Sequence, residues 1–291
     1  FPTRRSSDLD SELLIIGFRL KMANKKVIYD SHEDFPRQIY NKQWLPIWTR
    51  KPLSIVIEFI ENNISKRLDA VVCPTELIKN RFLKLNKNSV DIKNYALIDE
   101  FAKINHVKKK SNTICYIGAI TKERGFIELL DTLSILNDIK LICCGPFESL
   151  KFENCLRKHN SWKKVDYRGI VDRKEVAKIM EISSLGIVTL LNTPNQIESL
   201  PIKLFEYMAS SLPVVASNFP LWMEIVNSSK CGLCVNPSNP KEIAKAITYI
   251  FDNPEEAKKM GENGKENVDK IYNWKVEENK LVELYQRLLS A

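Results

Sequence analysis

Residues 185–217 decide the fold of this chain, and they read LGIVTLLNTPNQIESLPIKLFEYMASSLPVVAS. An apolar strand pattern, Leu185–Leu191, precedes a polar loop and a helical stretch, and a second apolar strand pattern, Val214–Ala216, follows them. Two carboxylates, Glu198 and Glu206, stand eight positions apart between the two strands. This order of strand, loop, helix and strand is typical of an open parallel α/β sheet, which binds ligands at the carboxyl ends of its strands.

Short apolar strands alternate with helical patterns along the rest of the chain. Val27–Tyr29 and Ala70–Cys73 read as buried parallel strands, and a second series starts at Thr113–Ile117. We therefore expect an α/β protein with two Rossmann-like, doubly wound parallel-sheet domains. The predicted boundaries are 10–109 for an N-terminal domain, 110–272 for a C-terminal domain, and 273–291 for a last helix that packs back on the first domain.

The first nine residues, FPTRRSSDL, resemble a translated sequencing adapter, and we exclude 1–9 from fold reasoning. They lack the apolar segment of a signal peptide. A helical pattern begins at Asp10 with no strand before it, so we expect the first domain to be incomplete and truncated at its start. No run of 18 apolar residues predicts a membrane span.

The basic charge of the chain is concentrated in its first part. The first 110 residues carry 21 Lys and Arg against 13 Asp and Glu, whereas the other residues carry 23 of each kind. Such asymmetry suggests an anionic surface or substrate facing this part, and a solvated basic surface is the alternative. Nucleic acid is not an expected partner, because the excess lies away from any recognition motif.

The seven cysteines indicate reduced thiols. Cys115, Cys143 and Cys144 lie in apolar, strand-like runs, which is typical of buried thiols in a cytoplasmic protein. Cys231 and Cys234 have CxxC spacing but no second pair and no nearby histidine, so the pattern favours a strand entry over a metal or redox site.

The stretch between the two carboxylates suits an anion. Pro201 fits the first position of a helix, so the N–H groups of Ile202–Leu204 would point out of the helix end, where the helix dipole favours a diphosphate. Lys203 adds a positive charge in the same turn. Glu206 can accept hydrogen bonds from the vicinal hydroxyls of a ribose, and Glu198 could do so for a second polyol. The alternative is an ordinary charged helix surface.

A second candidate phosphate contact follows the first strand of the C-terminal domain. The loop Gly118–Gly125 reads GAITKERG. Gly118 would allow close backbone approach, and Arg124 could hold phosphate oxygens in a bidentate manner. Lys122 could assist or simply be solvated. The loop has neither a GxGxxG nor a Walker pattern, so alone it is a weak signal.

A third candidate cluster reads DSHED and directly follows the strand Val27–Tyr29. His32 lies where such folds build active sites, and we interpret it as functional, with a structural hydrogen-bonding role as the alternative. A metal site is not predicted, because the chain has three histidines and no paired DxD.

Together these motifs resemble those of glycosyltransferase family 4, whose members have the two-domain GT-B fold. The resemblance rests on the PxKxFEYMA segment, YIGAITKERG, CCGPFE and YRGIVDRKEV, and on DSELLIIGFRLKMANKKVIYDSHEDFPRQI in the first domain. It implies a retaining, metal-independent, hexosyltransferase-type enzyme with no cofactor. The expected donor is a nucleotide-diphosphate sugar, with UDP as the expected nucleotide. The expected acceptor is a glycan or polyprenyl-diphosphate-linked sugar of cell-envelope, capsular or exopolysaccharide synthesis.

The resemblance also implies a role for each site residue. Arg124 and Lys203 would hold the donor's diphosphate, and Glu206 would hold the ribose hydroxyls. Glu198 and His32 would contact the transferred sugar. The nucleobase pocket would be lined by Tyr167, Gly169 and Val171.

Two other functions stay open, as does one further partner. The chain could be a nucleotide-sugar epimerase or hydrolase of the same fold, or an inactive nucleotide-sugar-binding fragment. The aromatic and basic residues around Trp44 and Trp48 suggest peripheral contact with an anionic membrane surface at the inner face of the plasma membrane. Packing in the core or between domains is the alternative for these tryptophans.

Overall fold

The chain forms two compact units in the computed structural model. The first unit contains the residues up to Asn94 together with those from Glu277 onward, and the second runs from Tyr95 to Val276. The structure describes residues 13–32, 34–41, 45–97, 101, 112–197 and 199–290.

The described part of the first unit contains a three-stranded parallel sheet. Its strands pair in the order β1-β2-β3 and are β1 (Ile28–Asp30), β2 (Ala70–Cys73) and β3 (Ser89–Asp91). The helices of this unit before Asn94 are α1 (Leu14–Met22), α2 (Phe35–Gln38), α3 (Ile47–Ser65) and α4 (Glu76–Leu83).

A buried ionic contact joins three elements of the first unit. Glu61 of α3 is almost fully buried, and it accepts hydrogen bonds from the Tyr29 hydroxyl of β1 (2.8 Å) and from Arg81 of α4 (2.6 Å). Burial raises the pKa of the Glu61 carboxyl, and the Arg81 charge opposes that rise. The contact holds β1 against the two helices.

The described part of the second unit contains a six-stranded parallel sheet in the order β6-β5-β4-β7-β8-β9. The chain starts in the middle, winds outward to one edge, and returns to wind to the other, which is the doubly wound arrangement. Its strands are β4 (Thr113–Ile117), β5 (Lys140–Cys144), β6 (Val165–Tyr167), β7 (Leu185–Val188), β8 (Val214–Ser217) and β9 (Gly232–Val235).

Helices pack on both faces of this second sheet. Hydrophobic residues of α5 and α11 pack on one face, and those of α7, α9 and α10 pack on the other. The helices from this point to the end of the chain are α5 (Phe126–Ile135), α6 (Leu150–Arg157), α7 (Arg173–Ile182), α8 (Pro194–Ile197), α9 (Ile202–Ala209), α10 (Pro220–Ser229), α11 (Pro240–Asp252), α12 (Pro254–Lys270) and α13 (Trp274–Ser290).

The division between the units differs from the boundary predicted at 109/110. Tyr95 already belongs to the second unit, because its ring packs edge-on against Phe205 (4.7 Å between centroids) and Tyr272 (5.7 Å). The polar, basic stretch 108–112 predicted the linker, and 108–111 lie outside the described residues. At the other end, α13 spans the division at Val276/Glu277.

The predicted α/β class with parallel sheets is confirmed, with smaller differences in detail. β7 ends at Val188, three residues before the predicted end of that strand. The sequence patterns predicted no strand at Ser89–Asp91, where the structure has β3. Cys115, Cys143 and Cys144 are buried and unpaired, as expected. Within the described parts of the chain, no helix combines the length and the apolar character needed to cross a bilayer.

Gly186 of β7 makes room for the ring of Tyr207, and this leads to a stability prediction. A Cβ on Gly186 would lie 2.3 Å from the ring, which cannot retreat because Ile117 N–H donates a hydrogen bond to its buried hydroxyl (2.9 Å). We expect Gly186→Ala to lower the free energy of unfolding by about 1–3 kcal/mol, measured by urea denaturation. Gly169→Ala is the control, because its Cβ meets open space and costs only left-handed backbone strain, about 1 kcal/mol. An equal loss in both variants would contradict the steric argument.

Candidate functional site

The candidate site lies at the carboxyl edge of the second sheet, between β4 and β7. The chain leaves β4 through the loop Gly118–Gly125 and enters α5, whereas it leaves β7, passes through the short helix α8 and then enters α9. Because α5 and α9 pack on opposite faces of the sheet, these two connections diverge at the edge. The crevice between diverging connections is where open α/β sheets bind ligands.

Two cationic side chains converge over Gly118. A Cβ on Gly118 would lie 3.0 Å from Nη1 of Arg124 and 3.8 Å from Nζ of Lys203. Arg124 comes from the loop after β4, and Lys203 comes from the first turn of α9. The fold therefore joins, across the crevice, two positive charges that are 79 positions apart in the sequence.

A second glycine holds the Gly118 backbone in place. Gly118 N–H donates to the carbonyl of Cys144 at the end of β5 (2.9 Å). A Cβ on the next residue, Gly145, would lie 2.2 Å from the Gly118 carbonyl oxygen. Both glycines have positive φ angles, +128° and +136°, which side chains with a Cβ rarely adopt. The close approach of the two loops therefore depends on glycine.

Lys203 is a buried cation without a hydrogen-bond partner among the described residues. Its side chain is 8% exposed, and Nζ lies 4.3 Å above the ring of Tyr116. Burial, reinforced by the nearby Arg124 charge, lowers the pKa of Lys203 to about 7. Buried ammonium groups are normally paired, so the site is electrostatically suited to an anion.

The start of α9 adds backbone donors to the two cations. Pro201 precedes the helix as its N-cap, one residue before the position expected from the sequence, and no side chain caps the helix there. The first N–H groups of a helix have no partner within it, and the helix dipole is positive at this end. Leu204 N–H already donates to the Pro201 carbonyl (3.0 Å), so the backbone N–H groups of Ile202 and Lys203 are the donors that can bind an anion together with the Lys203 ammonium. Leu204 itself is buried in the core, whereas Ile202 is exposed.

Glu206 lies one turn farther along α9 and is paired with a residue from another helix. Its carboxylate is almost fully buried, and Oε1 lies 2.7 Å from Nη1 of Arg173, the first residue of α7. The Glu206 charge also opposes the fall in the pKa of Lys203. Cationic groups of Lys203 and Arg173 and the carboxylate of Glu206 therefore lie close together at this edge of the sheet.

The three residues expected at a nucleobase have different surroundings. The Tyr167 ring packs against Phe147 (4.7 Å between centroids), and its hydroxyl donates to the Gly145 carbonyl (3.0 Å). Gly169 has a left-handed φ of +73°, and its carbonyl accepts a hydrogen bond from Gly145 N–H. Val171 packs against the hydrophobic core on the α9 face. Tyr167 therefore belongs to the packing of the opposite face, where α5 lies.

His32 and Glu198 are the other two residues predicted to contact the sugar. His32 belongs to the first unit, where its ring is 45% exposed and Nδ1 lies 3.9 Å from Oδ1 of Asp30. Glu198 lies outside the described residues.

Sequence reasoning gave no role to Arg173 or Tyr116, both of which contact the site. A signal for Arg173 existed, because a cation in the first turn of a helix opposes the helix dipole and suggests a partner elsewhere. Asp172 caps that helix by accepting from Glu175 N–H, so the helix start was readable but the ion pair was not. Tyr116 reads as an ordinary buried strand residue, and nothing in its sequence context predicts the contact with Lys203.

Comparison with known proteins identifies the family. A family model described as "Glycosyl transferases group 1" matches residues 98–267, which is more than half of the chain. The chain belongs to the group 1 glycosyl transferases. The match covers the six-stranded sheet and every residue of the crevice described above.

The chain is less than 30% identical to two individual relatives. The chain is 29% identical to the uncharacterized glycosyltransferase MJ1178 of Methanocaldococcus jannaschii over 71% of its own length and 56% of the relative's. It is 23% identical to the capsular polysaccharide biosynthesis glycosyltransferase CapM of Staphylococcus aureus, over 60% of its own length and 46% of CapM. The chain thus spans about half the length of these curated relatives.

A solved structure has the same fold as this group 1 chain. The crystal structure of Anabaena Alr3699/HepE in complex with UDP-glucose matches 97% of this chain and 77% of its own, with a TM-score of 0.73 and 14% identity. At this identity the likeness establishes the fold, and it confirms the prediction of Rossmann-like parallel-sheet domains.

The low pKa of Lys203 predicts a pH-dependent affinity for nucleoside diphosphates. An anion bound at Nζ would raise this pKa above about 7, so binding would take up a proton when the pH exceeds 7. We expect the affinity for UDP to fall above pH 7 by up to about tenfold per pH unit. Calorimetry from pH 7 to 9 in two buffers of different ionisation enthalpy measures both effects. The phosphate group itself titrates near pH 6 and does not interfere in this range.

Lys203→Met is the control for that experiment. It removes the titrating group, so the affinity should be weak and independent of pH. A pH dependence that survives this substitution would show that another group takes up the proton.

Proposed function

We propose that the chain is the donor-binding part of a retaining glycosyltransferase that moves a sugar from a UDP-sugar to a glycan or a lipid-linked acceptor. The observation that carries the proposal is the buried Lys203 ammonium beside Arg124, over Gly118. Two cations and a helix start suit a diphosphate, which carries two negative charges in a nucleotide sugar. Membership of the group 1 family and the UDP-glucose complex of a protein with the same fold support the choice of ligand.

The proposed reaction needs stabilisation of the leaving group. The bond between the anomeric carbon and the phosphate oxygen breaks, and negative charge develops on the nucleoside diphosphate. The side chains of Lys203 and Arg124 and the backbone N–H groups of Ile202 and Lys203 would stabilise that charge, which is why we propose a metal-independent mechanism. The acceptor hydroxyl would attack from the leaving-group side and pass its proton to a phosphate oxygen. A bond from the acceptor oxygen to the anomeric carbon forms, and the configuration is retained.

The other predicted site residues keep their proposed roles. Glu198 would orient the transferred sugar and is not proposed as a nucleophile, because the front-face reaction needs none. His32 is proposed as a further sugar contact. Glu206 would accept hydrogen bonds from the ribose hydroxyls.

Substitution of Lys203 tests the proposal most directly. We expect Lys203→Ala to lower turnover by about 10²–10³-fold, the usual effect of removing one group that stabilises developing negative charge. The variant should remain folded, because apolar residues of α9 hold the helix in the core, although loss of the buried aliphatic stem leaves a small cavity. Release of UDP, GDP or ADP from a panel of nucleotide sugars is the measurement. Lys258→Ala, at an exposed position of α12, is the matched control.

The same assay separates the proposal from its two alternatives. A hydrolase or epimerase would consume the nucleotide sugar without an added sugar acceptor, whereas a transferase needs one for efficient nucleotide release. An inactive binding fragment would bind the nucleotide and release nothing. Near-normal turnover of Lys203→Ala would contradict the assigned role of this residue.

We propose that the protein binds its acceptor at an anionic membrane surface. Ile47 and Trp48, at the start of α3, are 81% and 80% exposed, so Trp48 is not a core residue. Exposed apolar side chains continue on the neighbouring helix α1, and Lys51 is exposed as well. Aromatic and basic side chains at one surface suit the interface of an anionic bilayer. Trp44, the other tryptophan of the hypothesis, lies outside the described residues.

Liposome flotation tests this part of the proposal. We expect binding to vesicles with anionic lipid that weakens with added salt, because surface charge attraction is screened. Ile47→Ser with Trp48→Ser should reduce binding, whereas Leu150→Ser, at an equally exposed position of the second unit, should not. No binding at low salt would exclude the membrane contact.

A further inference from the structure

Arg173 has an unusual position for a cation. It is the first residue of α7, where the positive end of the helix dipole disfavours a positive charge. Its side chain is only about half exposed, and Nη1 lies 2.7 Å from Oε1 of Glu206. Cζ lies 5.0 Å from the ring centroid of Phe101, which is itself buried. Helix stability does not explain this placement, whereas the carboxylate and the aromatic face do.

Glu206 in turn requires a charged partner. Its carboxylate is 5% exposed, and an ionised carboxylate at such a depth is costly unless it is paired. Lys203 contributes a nearby positive charge, but its ammonium makes no hydrogen bond to any described residue. The contact with Arg173 is a short, charge-assisted hydrogen bond, which is stronger and more directional than a neutral one.

We propose that Arg173 is a positioning residue for the ribose of the nucleotide donor, because it holds the Glu206 carboxylate in one orientation. This inference rests on the proposed function. A carboxylate has about four lone-pair sites, so it can bond a guanidinium and ribose hydroxyls at the same time. Stacking on Phe101 restrains the guanidinium, and the restrained guanidinium restrains the carboxylate.

Loss of Arg173 should therefore weaken the binding of the ribose and leave the binding of the diphosphate intact. Without the Arg173 guanidinium, the Glu206 carboxylate would lose this orientation and would bind the ribose hydroxyls less well. Arg124 and Lys203 would remain in place for the diphosphate. The signature is a change in discrimination between ribose and deoxyribose rather than a general loss of binding.

The experiment compares the affinities of UDP and 2′-deoxy-UDP by calorimetry in four proteins. These are the wild type, Arg173→Ala, Arg173→Lys and Lys178→Ala. Lys178 is the matched control, because it lies on the same helix, is exposed, and forms an ion pair with the neighbouring Glu175. We expect the wild type to prefer UDP by about tenfold or more, the size expected for a hydrogen bond to a charged group.

In Arg173→Ala the preference should fall towards one, through weaker binding of UDP and little change for 2′-deoxy-UDP. Arg173→Lys should restore part of the preference, because it keeps the charge but not the planar fork. Lys178→Ala should retain the wild-type preference. A cooperative melting transition above the assay temperature would show that each variant is folded.

Several results would overturn the inference. Tighter binding of UDP by Arg173→Ala would mean that Arg173 covers Glu206 and competes with the nucleotide. An equal loss for both nucleotides, or no preference in the wild type, would mean that Arg173 does not act through the ribose. The proposed function would survive these results, provided that the wild type binds UDP and Lys203→Met does not. No binding of UDP by the wild type would overturn both.

Discussion

A cation held out of water beside a second cation is the arrangement on which the site depends. Lys203 and Arg124 converge because glycines at 118 and 145 let the loops after β4 and β5 lie against each other. Two like charges in a medium of low polarity repel, and burial adds to the cost. A bound diphosphate would reverse the sign of this interaction. The same electrostatic effect that lowers the pKa of Lys203 therefore favours anion binding.

The fold tolerates this repulsion because buried apolar residues alternate with the charged residues along α9. Leu204, Phe205 and Tyr207 are buried in the core on one face of the sheet, and they anchor the helix independently of its charges. Lys203 directly precedes Leu204, and Glu206, one turn farther along the helix, lies between Phe205 and Tyr207. Their positions are therefore set by apolar contacts that remain when either charge is removed, so the charged groups can be substituted without loss of the fold.

The parts of the structure that depend on local patterns could be predicted from the sequence, and those that depend on distant contacts could not. Alternating strand and helix patterns predicted the parallel sheets, and the residue types at Gly118, Arg124 and Lys203 singled out the groups that the sheet edge brings together. The ion pair between Arg173 and Glu206 joins two helices, so no local period encodes it. The orientation of Tyr167 depends on which face of the sheet it meets, and a strand of three residues carries too little pattern to decide that.

Charge balance connects the pairing of Glu206 with the proposed chemistry. Among the described residues of the site, Arg124, Lys203 and Arg173 are basic, whereas Glu206, which pairs with Arg173, is acidic. This pairing would leave Arg124 and Lys203 for the diphosphate of a nucleotide sugar, which carries two negative charges. Under the proposed mechanism, additional charge would develop on the terminal phosphate when the sugar leaves. The N–H groups at the start of α9 would then help to distinguish the transition state from the bound substrate.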